Sequence, residues 1–558
     1  MFRLSKRHFI ISQILLIPLI SGCSEHRTSL KLHSPAVGKQ CMVSTAHPLT
    51  TEAGIRILKA GGNAFDAAVG IAATLNVVEP MMSGMGGYGT ILIYDAAKNL
   101  VRFLDSSGKI PMNVDSDVFR APTPKYKENR RGPKAVSTPG NVNAWEAMSR
   151  EYGKLPWKKL FTTAIETAEN GFPVTKRFER ILEQAFNSFP DHAKQFYGKN
   201  GHPLKEGEHL VQRNLARSLR LVAEHGSRVF YKGELAQKIH NEMQVRGSFL
   251  TIDDLIADKA EWWKPIMINY KGYQVFTASP PSTAFPSLIR LGMMSCLDSL
   301  NLKHNSVEYL HYFAEVTKHA FWCRLKYAGD PEIEPPPLDM LLSKDYWQGQ
   351  VDKIDPSSAT TFVPPGIVPV SSQNTTHFVV ADQWGNIVSA TQTLGNLFGS
   401  RIMPEGTGIW FNNSLAYCTF EPKGNPMDAK AGQRKLSGDC PTIIFKEAKP
   451  WAVLGTPGGH TIGQTVPQMV MNLIDFNMNV LEAISAPRVS FVEPNYLYIE
   501  NMITEAVVEE LKKLGHNVII TNRLGNAHAL RILYDATGER SHFEGAADSR
   551  GEGTAKGF

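Results

Sequence analysis

The stretch "SSQNTTHFVVADQWGNIVSATQTL", Ser371 to Leu394, holds two apolar runs of strand length around a polar turn. "THFVVA" and "NIVSATQTL" flank Asp382–Asn386, which is rich in turn formers, so the segment predicts a β-hairpin. Hydroxyls crowd its open end. Thr375 and Thr376 begin the first strand, and a period of two puts Thr391 and Thr393 on one face of the second. Two readings stand at this point. Threonine is an ordinary strand residue, and packing accounts for one or two of these. Alternatively, the chain is cut between Asn374 and Thr375, because an N-terminal Thr has its own α-amine as base whereas an internal Thr has none.

Upstream of the hairpin, "PEIEPPPLD" and "VPPGIVPVSSQN" are proline-rich and predict an extended, exposed connector that a protease or a self-cleavage could reach. Downstream, "GIWFNN", "PTIIF", "WAVLGT", "LYIE", "NVIIT" and "ALRILYDATG" read as strands. "GGHTIGQTVPQMVMNLIDFN" and "ITEAVVEELKKLG" read as helices. In "LGTPGGH", a strand runs into Gly458 and Gly459 and then a helix. Adjacent glycines there expose amides with the positive end of the helix dipole behind them, a geometry suited to an oxyanion; a tight strand–helix turn uses the same residues. "RKLSGDCP", Arg434 to Pro441, is a polar turn that holds a substrate group or simply connects two elements.

The N-terminal half has the same mixed pattern. After the strand-like "QCMVSTA", Thr50 or Thr51 caps a helix ending at Gly61–Gly62, and Asn63 with Asp66 forms a box-like cap for a second helix that is apolar nearly all round. "MMSGMGGYG" feeds the strands "TILIYD" and "LVRFLDS". The span 143–301 is mostly helical, with strands returning from Tyr270. Sheets flanked by helices in both halves predict a layered α/β sandwich.

Composition narrows the function classes. The 558 residues are 42% hydrophobic and 20% charged, enough for a large core. The net charge of +6 arises from 59 basic and 53 acidic residues spread along the chain, so no nucleic-acid partner is implied. Arg3, Lys6 and Arg7 precede the apolar "FIISQILLIPLI" and then "SGC", the layout of a secretory signal over residues 1–22. The ending resembles a bacterial lipobox, in which Cys23 is lipidated, and Ser24 resembles the outer-membrane sorting pattern. The body then faces the periplasm, held to the membrane only by its N-terminal lipid. Five further cysteines are widely spaced, which excludes a disulfide scaffold; Cys418 and Cys440 either staple a loop or are two buried thiols. There is no CxxC or HExxH motif and the histidines are scattered, so neither a metal nor another cofactor is expected.

In order and spacing, "GGNAFDAAV", "VVEP", "SGMGGYG", "STPGNVNAW", "ENGFPV", "NTTHFVVAD", "WGNIVSAT", "LGTPGGH" and "AADSRGEGTAKGF" resemble the γ-glutamyltranspeptidase family of N-terminal-nucleophile hydrolases. The resemblance covers nearly all of the chain from about Pro35 and rests on the ordered set rather than on any one motif. It implies a four-layer αββα sandwich formed jointly by two subunits, residues 23–374 and 375–558, after self-cleavage between Asn374 and Thr375. Thr375 is then nucleophile and base, Thr393 positions its amine, and Gly458 and Gly459 form the oxyanion hole. The implied substrate is a γ-glutamyl amide such as glutathione, with water, an amino acid or a peptide as acceptor.

The chain departs from the family where the free amino-acid end is read. "LDSSGKIP" puts Ser107 at the position of the family's carboxylate-gripping Arg, with Lys109 two residues on as a substitute charge. "LAYCTF" puts Tyr417 where an ammonium-binding Asp belongs, a paired Ser becomes Ser437–Gly438, and an Asn becomes Gly395. Lys109, Ser437 and Thr391 are therefore the expected substrate contacts. The same changes open the alternative of an acylase on another small-molecule amide, of the cephalosporin-acylase kind or peptide-directed. A catalytically dead, peptide-binding envelope lipoprotein and a serine acylase built on the SxxK match Ser106–Lys109 are the remaining alternatives.

Overall fold

Alternation along the strands decides how the sheets stack. In the strand Tyr88–Asp95, Ile91 and Ile93 enter one buried cluster while Leu92 and Tyr94 enter another. In Thr376–Ala381, Phe378 and Val380 separate from Val379 and Ala381 in the same way. In Thr442–Lys446 and Lys449–Gly455, Ile443, Phe445 and Val453 join that shared cluster, whereas Ile444, Ala452 and Leu454 point to a third. Since successive side chains leave a strand on opposite faces, one core lies between two sheets and two cores lie between a sheet and its helices. That is the αββα sandwich.

The computed structural model describes residues 34–120, 128–364 and 374–558. One seven-stranded sheet runs in the order Ala36–Gly38, Arg540–Ala547, His528–Tyr534, Lys449–Gly455, Thr442–Lys446, Tyr273–Thr277, Ile266–Tyr270. The other runs Thr554–Gly557, Met42–Thr45, Thr376–Ala381, Ile387–Thr393, Tyr88–Asp95, Leu100–Asp105, Glu261–Trp263. Pairing is antiparallel throughout both. Each sheet mixes strands from before and after Thr375, so position 375 is not a folding boundary: the hairpin that starts there is a central part of one sheet.

The outer helices carry the caps that the sequence indicates, with one exception. The helix Ala64–Val78 is buried along its whole length. Asn63 Oδ1 accepts from the Phe65 and Asp66 amides while Asp66 returns a bond to the Asn63 amide. Asn63 Nδ2 also donates to the Tyr152 carbonyl at 2.6 Å. Replacing Asn63 with Ala therefore removes a cap and an inter-element bond and should cost about 1–2 kcal/mol. Urea unfolding checks this, and an unchanged midpoint would show the box to be redundant. The preceding helix, Pro48–Lys59, starts ahead of the expected Thr50 or Thr51. His47 caps it, with Nδ1 accepting from the Leu49 amide, and Pro48 supplies the fixed φ of a first helical residue.

Other expectations change on folding. "GIWFNN" is no strand: only Phe411 makes a bridge, to Gly86, because the segment wraps the Gly-rich turn instead of joining a ladder. Strands return before Tyr270, at Glu261–Trp263 and Ile266–Tyr270, which close an edge of each sheet. Cys418 and Cys440 are both free and buried. The connector residues 365–373 and Cys23 lie outside the described residues. Among the described residues no helix is long and apolar enough to cross a membrane.

Candidate active site

The hairpin register places the threonines. Thr376 pairs with Gln392, so Thr375 stands opposite Thr393 at the open end, both nearly inaccessible to solvent. Thr375 Oγ1 lies 2.6 Å from the Asn374 carbonyl oxygen and 3.3 Å from Thr393 Oγ1. The Thr393 hydroxyl accepts from the Gly395 amide at 2.8 Å and donates to the same Asn374 oxygen at 2.9 Å. With the Gly395 amide holding the Thr393 oxygen as acceptor, its proton is free for the carbonyl. Both hydroxyls thus donate to the Asn374 carbonyl oxygen, which polarises the peptide bond before Thr375. Neither Thr alone in a packed strand requires this arrangement.

One rung deeper, Thr391 Oγ1 meets His377 Nδ1 at 2.8 Å. His377 is fully buried, and burial followed by nearby His528 holds its pKa well below the ordinary imidazole value. Thr391 shares the face of Thr393, as its spacing indicates, but its hydroxyl is used between the sheets and it is not a wall of the Thr375 cavity.

The turn after Lys449–Gly455 provides the facing surface. Gly458 has φ 144° and Gly459 φ 59°, and a Cβ on Gly458 would lie 2.4 Å from Thr461 Oγ1. Only glycine fits. A short 3-10 turn, Gly459–Thr461, leads directly into the helix Ile462–Ile474, so the glycine amides belong to the class of donors left over at a helix start. Gly458 lines, with Asn374 and Thr375, a cavity of about 420 Å³. Gly459 packs behind it against Gly438.

Three arginines line that cavity: Arg177 and Arg180 from the helix Lys176–Ala185, and Arg523 from the loop after Asn517–Thr521. Arg177 Nη1 is 3.1 Å from buried Glu79, whose other oxygen accepts from Thr376 Oγ1 at 2.9 Å. Sequence reasoning did not single out these residues. The i, i+3 spacing in "KRFER" puts Arg177 and Arg180 on one helical face, but nothing in it says that the face meets Thr375.

The other expected contacts lie elsewhere. Lys109 lines a separate cavity of about 180 Å³ with Asp105, Asp254, Asp258 and Glu261, because its backbone bridges to Arg434. Ser437 is buried, its hydroxyl 3.2 Å from Thr90 Oγ1 and its carbonyl held by Thr283. Ser106 Oγ donates to the Gly89 carbonyl at 3.0 Å and does not partner Lys109, so the SxxK match has no geometry behind it. His311, Glu315 and His516 approach one another in the core. Their ligand atoms are already engaged: His311 Nδ1 and His516 Nε2 share a 2.9 Å hydrogen bond, and Glu315 is held by Lys318 and the Thr360 amide.

Residues 50–558 match the model of the family described as gamma-glutamyltranspeptidase. The chain belongs to the γ-glutamyltranspeptidase family. It is 35% identical to a glutathione hydrolase proenzyme of Bacillus subtilis (strain 168), over 94% of this chain and 92% of that one. It is 34% identical to an acylase ACY 1 proenzyme of Pseudomonas sp. (strain SE83), over 93% of this chain and 94% of that one. Among solved structures, a cephalosporin acylase from Bacillus halodurans superposes with a TM-score of 0.85 at 28% identity, over 98% of this chain and 99% of that one.

In this γ-glutamyltranspeptidase-family chain, several polar side chains near Gly459 are engaged within the protein. Ser107 donates its hydroxyl to Asp105 at 2.8 Å and its amide to the same carboxylate at 3.1 Å. Burial pushes Asp105 up to about 6 despite those bonds. Tyr417 is buried, its ring 5.8 Å from that of His460. Lys435 is buried over the Tyr88 ring, and burial drives its pKa far down while raising that of Asp439 to about 6. The positions where the family resemblance implies a grip on an amino-acid end thus find their partners inside the protein.

Proposed function

We propose that this chain is a precursor that cuts itself between Asn374 and Thr375 and then uses Thr375 to hydrolyse, or to transfer the acyl group of, a γ-glutamyl amide of the glutathione type. The observation that carries the proposal is the convergence of the Thr375 and Thr393 hydroxyls on the Asn374 carbonyl at the edge of a cavity that also holds Gly458. In self-cleavage, Thr375 Oγ attacks the Asn374 carbonyl carbon, and Thr393 stabilises the charge that develops on its oxygen. The C–N bond breaks, the nitrogen takes a proton, and Asn374 is left as an ester on Oγ. Water hydrolyses that ester, giving the Asn374 carboxylate and a free α-amine on Thr375. In turnover, that amine takes the Oγ proton as the hydroxyl attacks the substrate carbonyl. The Gly458 and Gly459 amides receive the oxyanion, and the proton passes to the leaving amine. Water or an acceptor amine then takes the acyl group.

The products of self-cleavage are a larger subunit, 23–374, and a smaller one, 375–558, whose strands remain paired in both sheets. Export and lipidation at Cys23 are proposed from the N-terminal sequence alone and put the enzyme in a bacterial envelope, facing the periplasm. A second reading, an acylase on a different small amide, is supported by the internal engagement of Ser107, Tyr417 and Ser437. Intact mass and N-terminal sequencing of purified protein test the common core: a fragment beginning at Thr375 is expected, and a single stable chain would overturn it. Glutathione turnover beside that of an amide lacking the α-amino group then separates the two substrate classes.

A further inference from the structure

The charge around the Thr375 cavity does not balance. Arg177 is neutralised by Glu79 at 3.1 Å. Arg180 is exposed, and Arg523, half-buried, spends Nε on the Gly525 carbonyl at 3.0 Å. Among the described residues no carboxylate forms an ion pair with either, although acids are near. Asp548 is taken by Arg488 at 2.7 Å and Arg550 at 2.9 Å, and Glu500 by Arg550. Burial, and then the neighbouring Arg177, lowers the Arg523 pKa to about 10 against the opposing pull of Asp548 and Glu79. Two guanidinium charges therefore face one cavity, which reaches solvent past Arg180 and Asn522.

The direction of traffic says which part of the substrate they meet. The acyl group stays bonded to Thr375 between the two half-reactions, while the amine leaves and water or an acceptor enters. Exchange with solvent needs an open route, and the arginine-lined cavity opens from Thr375 to solvent.

We propose that Arg180 and Arg523 form an anion-binding subsite for the amine half of the substrate, leaving group and acceptor alike, which selects amines carrying an additional carboxylate, such as acidic dipeptides. This rests on the reading of Thr375 given above. Planar guanidiniums bind carboxylates through paired N–H donors, which a neutral amide of the same shape does not reproduce. Their contribution is expected to weaken with salt because Arg180 is exposed.

The test is titration calorimetry of the full chain with glycyl-aspartate and with glycyl-asparagine at low ionic strength, alongside the intact mass of the same sample. The acid should bind at least about tenfold more tightly. The ratio should fall towards one in 0.5 M sodium chloride and in the Arg180→Ala/Arg523→Ala double variant, whose fold is checked by circular dichroism. Arg180→Ala alone, at an exposed position, should lower the ratio and keeps the test valid if the double variant misfolds. Equal binding of the two dipeptides, no binding of either, or a preference that survives loss of the arginines would overturn the subsite. An uncut protein that still prefers the acid would instead overturn the role of Thr375 and leave the subsite standing.

Discussion

Thr375→Ala is expected to remain one uncut chain and to lose amide turnover by at least about 10⁴-fold, the scale seen when a nucleophile is removed from a covalent mechanism. Two functions disappear with one oxygen. In the proposed mechanism the Thr375 hydroxyl, which donates to the Asn374 carbonyl oxygen at 2.6 Å, attacks that peptide, and without the cut no α-amine exists to serve as base. The fold should survive, because Thr375 lies at the end of its strand and its change to Ala leaves the hairpin pairs from Thr376 onward intact. Thr375→Ser keeps the oxygen and should still cleave. Its rate is expected to be lower, because losing the methyl frees χ1 and the hydroxyl spends less time on the carbonyl. Intact mass of the three proteins after prolonged incubation decides the matter. Cleavage of the alanine variant at the same bond would assign the cut to another agent and remove Thr375 from the mechanism.

Asp548→Asn is expected to destabilise the protein by about 3–5 kcal/mol, the usual cost of stripping one partner from a buried ion pair. Arg488 and Asp548 are fully buried, 2.7 Å apart. Asp548 also accepts from the Ala527 amide at 3.0 Å and from Arg550 at 2.9 Å. Arg488 in turn donates to the Leu524 carbonyl at 2.6 Å. Burial alone would raise the Asp548 pKa, but Arg488, Arg550 and the backbone donors outweigh it and hold the carboxyl well below the ordinary range. The sign follows from that depression. The contribution is complete above the unfolded carboxylate pKa of about 4 and is lost as pH falls further. The variant's deficit against the parent should therefore be largest near neutral pH and shrink in acid. Urea unfolding at pH 7 and pH 3 measures both. A deficit under about 1 kcal/mol at pH 7 would mean that Arg488 finds another acceptor. Because Leu524 and Ala527 lie in the loop that carries Arg523, the same variant is expected to loosen the cavity rim beside Thr375.

Much of this molecule is legible locally. Period-two alternation in "TILIYD" and "THFVVA", the Asn63–Asp66 box and the Gly458–Gly459 turn each depend on neighbours within a few residues, where sterics and hydrogen bonding act on the chain itself. Because the hairpin is local, the meeting of Thr375 with Thr393 was legible too: an antiparallel pair with a short turn has one register that keeps its apolar face buried. "GIWFNN" failed for the converse reason. Its apolar residues are buried, as their composition requires, but burial does not specify a ladder, and among the described residues the segment makes only the Phe411–Gly86 bridge.

Position across long sequence separations was left to tertiary structure. Lys109 and Ser437 are spaced from the family's landmarks as substrate contacts would be, yet sheet packing sends one to a separate cavity and the other inward to Thr90. Arg180 and Arg523 are separated by most of the chain and carry no motif, yet the folded chain brings both to Thr375. The layered sandwich, the Asn63–Asp66 box and the hairpin at Thr375 follow from the amino-acid order, because periodicity and local bonding report which face of an element is buried. Which charges surround Thr375 emerges only on folding, because burial patterns do not name the partner on the other side of an interface.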